Sequence, residues 1–186
     1  MPSINRSFLE LLKSPRTNYP IFIETGTFQA ETTFAMEPLF EKIYTVEVSE
    51  KYHALSKNRY NGNKIDFILG DSSTVFETLL PTITDNTIFF LDGHWSSGDT
   101  GKGSKDCPLV EEITHINNLF KHEAILIIDD YRLFGKCRKT GVSEDWSDIH
   151  KDTLINILKN RITDIYHLPS NLAVDDRLIV HINTGV

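Results

Sequence analysis

Residues 89–106, FFLDGHWSSGDTGKGSKD, place an acid and an imidazole at the end of an apolar run. Asp92 and His94 follow two Phe and a Leu, and a loop rich in Gly, Ser and Thr comes next. A carboxylate and a neutral imidazole in this position can bind a metal ion or accept a proton. Asp92 is hard to explain by structure alone, whereas His94 could also be a structural histidine at the mouth of the loop.

A second acidic pair, Asp129 and Asp130, follows the apolar run AILII. Three carboxylates that lie together repel one another unless a cation neutralises them. Oxygen ligands of this kind suit Mg²⁺ or Mn²⁺. The sequence therefore predicts a divalent metal site formed by Asp92, Asp129 and Asp130, with an N-cap role as the alternative for Asp130.

The elements that must position these residues alternate between short apolar runs and helix-like segments. This rhythm predicts an α/β fold with a doubly wound, largely parallel sheet. Seven strands are predicted near residues 20–24, 42–48, 64–70, 87–92, 124–130, 164–168 and 177–182. Helices are predicted near residues 4–13, 28–40, 49–60, 71–80, 108–120 and 151–162.

Ligands of such sheets bind at the carboxyl ends of the strands, and an acid ends each of the first five predicted strands. In the first turn, ETGTFQ, Gly26 allows a ligand to approach the main chain. Glu47 lies 23 residues after Glu24 (47 − 24), where an acid can bind ribose hydroxyls. The turn has one Gly rather than the three of a dinucleotide loop, and the acid before it favours a cationic ligand over a pyrophosphate.

The chain resembles the class I S-adenosylmethionine-dependent methyltransferases over nearly its whole length. The matching residues are the acid-x-Gly turn Glu24-Thr25-Gly26, Glu47 after the second strand, and Asp71 after the third. The resemblance implies a Rossmann-like, doubly wound, seven-stranded, mostly parallel sheet with an antiparallel C-terminal strand. It also implies cofactor contacts from Glu24, Thr25, Gly26, Thr27, Phe28, Glu47, Val48, Asp71, Ser72 and Asp92. Ala30 departs from the family pattern, which often has another Gly at that place.

The acids of the fourth and fifth strands also resemble those of the metal-dependent sugar O-methyltransferases. This resemblance implies methyl transfer to a hydroxyl of a sugar or other small polyol, assisted by Mg²⁺ or Mn²⁺, with Asp92 and His94 as catalytic residues. Three alternatives remain. They are a metal-independent methyltransferase that uses His94 as the base, a noncatalytic nucleoside-binding protein, and a fold relative with a different nucleoside ligand.

Composition narrows the remaining possibilities. The net charge of −7 argues against nonspecific nucleic-acid binding, and no apolar stretch approaches the roughly 20 residues of a membrane span. The absence of an export signal and the two cysteines, Cys107 and Cys137, favour a cytoplasmic location. We expect residues 1–186 to form a single domain, and a homo-oligomer could complete the substrate site.

Two loops complete the expectations. The loop over residues 95–107 contains Gly98, Gly101 and Gly103, a composition typical of a lid or of a disordered surface loop. A later loop is either a solvated surface loop or a site that binds an acidic or phosphate-bearing substrate. It carries four basic residues: Arg132, Lys136, Arg138 and Lys139.

Overall fold

The computed structural model of the protein describes residues 3–98 and 100–185. One seven-stranded sheet has the strand order β3-β2-β1-β4-β5-β7-β6. Its strands are β1 (Ile21–Thr25), β2 (Lys42–Glu47), β3 (Ile65–Leu69), β4 (Thr87–Leu91), β5 (Ala124–Ile128), β6 (Ile162–Leu168) and β7 (Arg177–Ile182). Strand β7 is antiparallel to both of its neighbours, and the pairs among β1 to β5 are parallel. The predicted Rossmann-like, mostly parallel sheet with an antiparallel C-terminal strand is therefore confirmed.

The central strands are buried on both faces, because their side chains alternate between two apolar layers. In β4, Phe89 and Leu91 belong to one layer, and Ile88 and Phe90 belong to the other. The first layer is covered by α4 (Ser72–Leu79), α5 (Leu109–Leu119) and α6 (Lys151–Leu158). The second layer is covered in part by α1 (Arg6–Leu9) and α2 (Glu31–Met36). The remaining helix, α3, spans Glu50–Asn58.

Three helices are shorter than their sequence patterns predict. Helix α6, predicted over 151–162, ends at Leu158, and residue 162 instead begins β6. The N-terminal helix, predicted over 4–13, ends at Leu9, because the next amides bond three residues back, from Leu11 to Phe8 and from Leu12 to Leu9. Helix α2 begins at Glu31 rather than near residue 28, because Phe28 and Ala30 adopt left-handed backbone conformations. It continues as a 3₁₀ turn over Glu37–Leu39, which contains Pro38.

The acids of interest lie at the carboxyl ends of the strands, with Glu24 and Glu47 in the last residues of β1 and β2 and the others just beyond β3, β4 and β5. Strand β4 ends at Leu91, one residue before Asp92, and β5 ends at Ile128, before the acidic pair. Strands β1 to β5 are parallel, so these ends meet at one edge of the sheet. None of the helices in residues 3–98 and 100–185 is both long enough and apolar enough to cross a bilayer.

Candidate active site

A cavity of about 360 Å³ opens at the carboxyl edge of the sheet, beside β1, β2, β3 and β4. Most of the residues predicted to contact a cofactor line it: Glu24, Gly26, Thr27, Phe28, Glu47, Val48, Asp71, Ser72 and Asp92. Thr25 is the exception, since its side chain is fully buried beneath the turn. His94, one of the two predicted catalytic residues, also lines the cavity.

The turn after β1 is shaped by backbone conformations that side chains rarely allow. Gly26 has a φ of 84°, and a β-carbon at this position would lie 2.4 Å from the Asp92 carbonyl oxygen. Only Gly can therefore bring β1 and β4 this close at their ends. Ala30 has a φ of 58°, so it takes the left-handed shape usual for Gly although it carries a side chain.

Glu47 fixes this turn against β2. Its Oε2 accepts a hydrogen bond of 2.7 Å from the Phe28 N–H, and its Oε1 accepts one of 2.8 Å from the Ser49 N–H. The side chain is buried but lines the cavity. Each carboxylate oxygen can accept a second hydrogen bond, so Glu47 can hold the turn and still receive hydroxyl donors from a ligand.

Glu24 is the most enclosed acid in the cavity wall. Its Oε2 accepts hydrogen bonds from the hydroxyls of Thr33 and Thr45, the latter at 2.8 Å. Burial raises the pKa of Glu24 to about 7, against the effect of these two hydrogen bonds. A positively charged ligand beside Glu24 would favour the ionised form.

Asp71 and Ser72 begin α4 and contact other protein groups. Asp71 Oδ1 accepts hydrogen bonds from the N–H and hydroxyl of Ser73, and Oδ2 accepts one of 2.7 Å from the Ser104 N–H. Burial alone would raise the pKa of Asp71, but these hydrogen bonds outweigh it and lower the pKa. Ser72 donates a hydrogen bond of 2.6 Å to Glu112, and burial raises the pKa of Glu112 to about 7.

At the other end of the cavity, His94 lies between two acids. Its Nε2 is 3.1 Å from Asp130 Oδ2, and its Nδ1 is 3.5 Å from Asp92 Oδ1. Burial lowers the pKa of His94, against the opposing effect of Asp130. Burial, together with Asp129 and Asp130, raises the pKa of Asp92 well above its usual value. A negative charge on Asp129 or Asp130 strongly disfavours ionisation of Asp92 unless a cation lies near the two carboxylates.

The structure divides the predicted three-carboxylate set. One ligand atom each from Asp92, His94 and Asp130 lie within 4.8 Å of one another, which is a spacing that suits a metal ion. Asp129 instead forms an ion pair with Arg177, with Asp129 Oδ1 3.2 Å from Arg177 Nε. Asp129 and Asp130 do offer ligand atoms within 4.8 Å of each other and of Asp176, but Asp129 is not part of the group that contains Asp92 and His94. Asp130 adopts a left-handed backbone, with a φ of 59°. It faces His94, while Asp129 faces Arg177.

Arg132 from the predicted basic cluster is already paired. Its Nη1 donates to Asp130 Oδ1 and, at 2.6 Å, to Asp176 Oδ2. Asp176 is fully buried and also accepts a hydrogen bond from the Arg132 N–H. Arg132 therefore supports the turn that carries Asp130.

The loop over residues 95–107 covers part of the cavity, although Asp99 lies outside the described residues. Thr100, Gly101, Gly103 and Lys105 line the cavity from this loop. The Lys102 ammonium lies 4.5 Å from the centre of the Trp95 ring. The indole therefore packs within the loop.

Sequence patterns did not indicate some of the lining residues. Ser3 reaches the cavity from the N-terminal segment, where it donates a hydrogen bond from its N–H to Thr32. No local signal marks Ser3, because its position depends on an interaction 29 residues away along the chain. Glu31 and Thr32 also line the cavity. The sequence placed them in a helix, and only their closeness to the Gly26 turn, in the first turn of α2, could have indicated this role.

Neither a known family profile nor a curated protein matches the sequence. Solved structures do match. The N-methyltransferase NodS from Bradyrhizobium japonicum has a TM-score of 0.57 at 11% identity, covering 91% of this chain and 89% of that one. The magnesium protoporphyrin IX methyltransferase from Synechocystis, with bound S-adenosylhomocysteine (SAH), has a TM-score of 0.57 at 13% identity, covering 89% and 74%.

An rRNA methylase from Streptococcus thermophilus also matches, with a TM-score of 0.54 at 14% identity, and the match covers 91% of this chain and 89% of that one. Identities this low show a shared fold, and they do not show a shared substrate. Together with the strand order and the antiparallel β7, these matches show that the chain has the class I methyltransferase fold.

Proposed function

We propose that the protein binds S-adenosylmethionine and transfers its methyl group to a hydroxyl oxygen of a sugar or other small polyol. One observation carries the proposal. The cavity at the carboxyl edge of the sheet is lined by Glu47 at one end and by Asp92 and His94 at the other, and Asp130 lies beside His94. The class I methyltransferase fold supports the choice of cofactor.

The acids near the first turn suit a sulfonium cofactor. Glu24 and Glu47 line the cavity on either side of the Gly26 turn, and a positive charge there would be stabilised. Gly26 lines the cavity and lets the end of β4 lie against this turn. Glu47 would accept hydrogen bonds from the ribose hydroxyls, with the turn held by its bond to Phe28.

A divalent ion is part of the proposal, held by Asp92, His94 and Asp130 in place of the three carboxylates expected from the sequence. Two carboxylates and an imidazole fit Mn²⁺ better than Mg²⁺, because Mg²⁺ prefers oxygen ligands alone. When bound, such an ion lowers the pKa of a substrate hydroxyl. The chain would supply the ligands and align the acceptor with the methyl group.

The reaction balances in atoms and charge. The carbon–sulfur bond of the cofactor breaks, a carbon–oxygen bond forms, and the hydroxyl proton leaves to a base. The products are the methyl ether, SAH and one proton. With the ion bound, His94 is a ligand, and the proton of the substrate hydroxyl would leave to water. Without the ion, His94 is the candidate base, because its lowered pKa keeps the imidazole neutral and able to accept a proton.

A metal-independent methyltransferase is the second candidate. The observation that favours it is the placement of both His94 ring nitrogens beside carboxylates, at 3.1 and 3.5 Å. These acids would stabilise the imidazolium that forms when His94 accepts a proton. A third candidate is a noncatalytic nucleoside-binding protein, which would use the cavity but transfer no methyl group.

Two measurements separate the candidates. Calorimetry with SAH tests cofactor binding. If the folded protein gives no binding heat at high micromolar SAH, both proposals of methyl transfer are contradicted. Methyl transfer from labelled S-adenosylmethionine to a panel of sugars and polyols is then measured with EDTA and with added Mn²⁺. We expect EDTA to abolish turnover while SAH binding persists. Turnover that survives EDTA would favour the His94 mechanism, and binding without any methylated product would favour the noncatalytic protein.

A further inference from the structure

Two glycines bring the loop after β4 against the proposed nucleoside end of the cavity. A β-carbon at Gly101 would lie 2.5 Å from Val48 Cγ1 and 3.0 Å from Ser49 Cβ. A β-carbon at Gly103 would lie 2.5 Å from Asp71 Oδ2. Carbon atoms do not approach this closely without displacing their neighbours. Glycine at these two positions therefore lets the segment of residues 101–104, here called the covering segment, lie against Val48 and Asp71 without displacing their side chains.

Asp71 holds the covering segment by a charge-assisted hydrogen bond. The Ser104 N–H donates to Asp71 Oδ2 at 2.7 Å, and Ser73 holds the other carboxylate oxygen with its N–H and hydroxyl. Hydrogen bonds to an ionised acceptor are shorter and stronger than neutral ones. The carboxylate that the resemblance assigned to cofactor contact is thus held by donors from both Ser73 and Ser104.

The base of the same loop is closed by its own contacts. The Trp95 N–H donates a hydrogen bond of 2.7 Å to the Asp106 carbonyl oxygen. The Lys102 ammonium is 2.5 Å from the Asp106 carboxylate. Compact loops whose ends meet in this way often carry functional residues. The position of the covering segment is therefore set at two places, at this base and at Asp71.

We propose that the covering segment is a wall of the nucleoside-binding end, and that Asp71 is the positioning residue that holds this wall in place. The inference rests on the proposed function for the identity of the ligand. Gly101 and Gly103 would then determine which nucleoside fits, because they set how closely the wall approaches Val48 and Asp71. Asp71 would act on the ligand through the wall.

A matched pair of variants at Ser104 tests the wall. Ser104→Ala and Ser104→Pro both lack the hydroxyl, and only the proline variant also lacks the N–H that Asp71 accepts. We expect the Kd for SAH, measured by calorimetry, to be about tenfold or more higher for Ser104→Pro than for Ser104→Ala. Equal Kd values for the two variants, in protein whose wild type binds SAH, would overturn the inference and leave the proposed function intact.

Glycine variants in the same loop provide an independent comparison. Gly101→Ala and Gly103→Ala should each raise the Kd for SAH. Gly98→Ala should not, because a β-carbon at Gly98 has no atom within 4 Å, even though Gly98 has a φ of +62°. A similar Kd in all three variants would contradict the assignment of Gly101 and Gly103.

The role of Asp71 can also be measured without any ligand. Hydrogen–deuterium exchange of the amides in residues 101–104 should accelerate in Asp71→Ala, and Asp71→Asn should restore part of the protection, because its amide oxygen can still accept from Ser104. Unchanged exchange in Asp71→Ala would overturn the inference. If the wild type binds no SAH, the proposed function fails, and the covering segment is not a nucleoside contact. Hydrogen–deuterium exchange still decides whether Asp71 holds the covering segment in place.

Discussion

Arg177 Nε lies 3.2 Å from Asp129 Oδ1, and both side chains are buried. Arg177 also donates to the carbonyl oxygens of Ser3 and Pro169, so one side chain joins the N-terminal segment and the loop before β7 to Asp129. This pairing leaves Asp130 as the acid of the pair that faces His94. The two adjacent acids should therefore respond differently to substitution.

Asp130→Asn should weaken Mn²⁺ binding by about tenfold or more, because it removes a charged ligand of the proposed site. Asp129→Asn should change Mn²⁺ affinity much less, but it should lower the free energy of unfolding by roughly 3 kcal/mol, because Arg177 is left buried without its partner charge. Calorimetric titration with Mn²⁺ and urea unfolding measure the two effects. Equal losses of Mn²⁺ affinity in both variants would restore Asp129 to the metal site.

Gly26→Ala should remove SAH binding and lower the free energy of unfolding. The φ of Gly26 is 84°, and the added β-carbon would lie 2.4 Å from the backbone of Asp92. Gly141→Ala is the matched control, because Gly141 has a φ of 89° and no atom within 4 Å of the added carbon. Both variants carry the cost of placing Ala at a positive φ, so this cost cancels when their urea midpoints are compared. The remaining difference measures the clash with Asp92. Similar midpoints would show that the turn can move away from Asp92.

Glu112→Gln should change how stability depends on pH. Burial raises the pKa of Glu112 from 4.5 to about 7 in the folded protein. Between these values the folded protein keeps a proton that the unfolded chain has lost, so the contribution of Glu112 to stability falls as the pH rises through this range. Gln cannot ionise, and its carbonyl oxygen can still accept the hydrogen bond from Ser72.

The stability of Glu112→Gln relative to wild type should therefore increase between pH 4.5 and pH 8, by up to about 3 kcal/mol. Urea unfolding of both proteins across this range gives the difference. Glu24 has a similarly raised pKa and is present in both proteins, so its own effect cancels. A difference that stays constant with pH would show that Glu112 is ionised in the folded protein throughout.

Glu47→Gln should weaken SAH binding by about tenfold, because one of its two acceptor oxygens becomes an amide nitrogen that cannot accept from Phe28 or Ser49. Glu47→Ala should weaken it further. Glu50→Gln, an acid on the exposed side of the next helix, is a suitable control. Calorimetry measures the Kd for SAH in all three variants. If Glu47→Gln and Glu47→Ala bind SAH as tightly as Glu50→Gln and the wild type, the role of Glu47 is contradicted.

The sheet could be predicted because its signals are local. Each of the first five strands is an apolar run that ends at or beside Gly or an acid, and all seven strands lie within about two residues of the predicted ranges. The clustering of Glu24, Glu47 and Asp92 at one cavity follows from parallel strands that end at the same edge. The class of fold was therefore available from the pattern alone.

The details of the site could not be predicted in the same way. The direction of each acid after β5 depends on the left-handed backbone of Asp130 and on Arg177, which is 48 residues further along the chain. The late start of α2 depends on left-handed conformations at Phe28 and Ala30, which are not residues that usually signal them. Such features arise from tertiary packing, and local residue patterns do not encode them.

Strand β7 lies between β5 and β6, although it follows both in the chain. During synthesis, the hydrogen-bonding edge of β5 therefore stays open until residues 177–182 have left the ribosome. An apolar edge strand of this kind can pair with other nascent chains. Folding of the sheet should be completed only after translation has passed β7, and a chaperone that shields β5 until then would improve the yield of native protein.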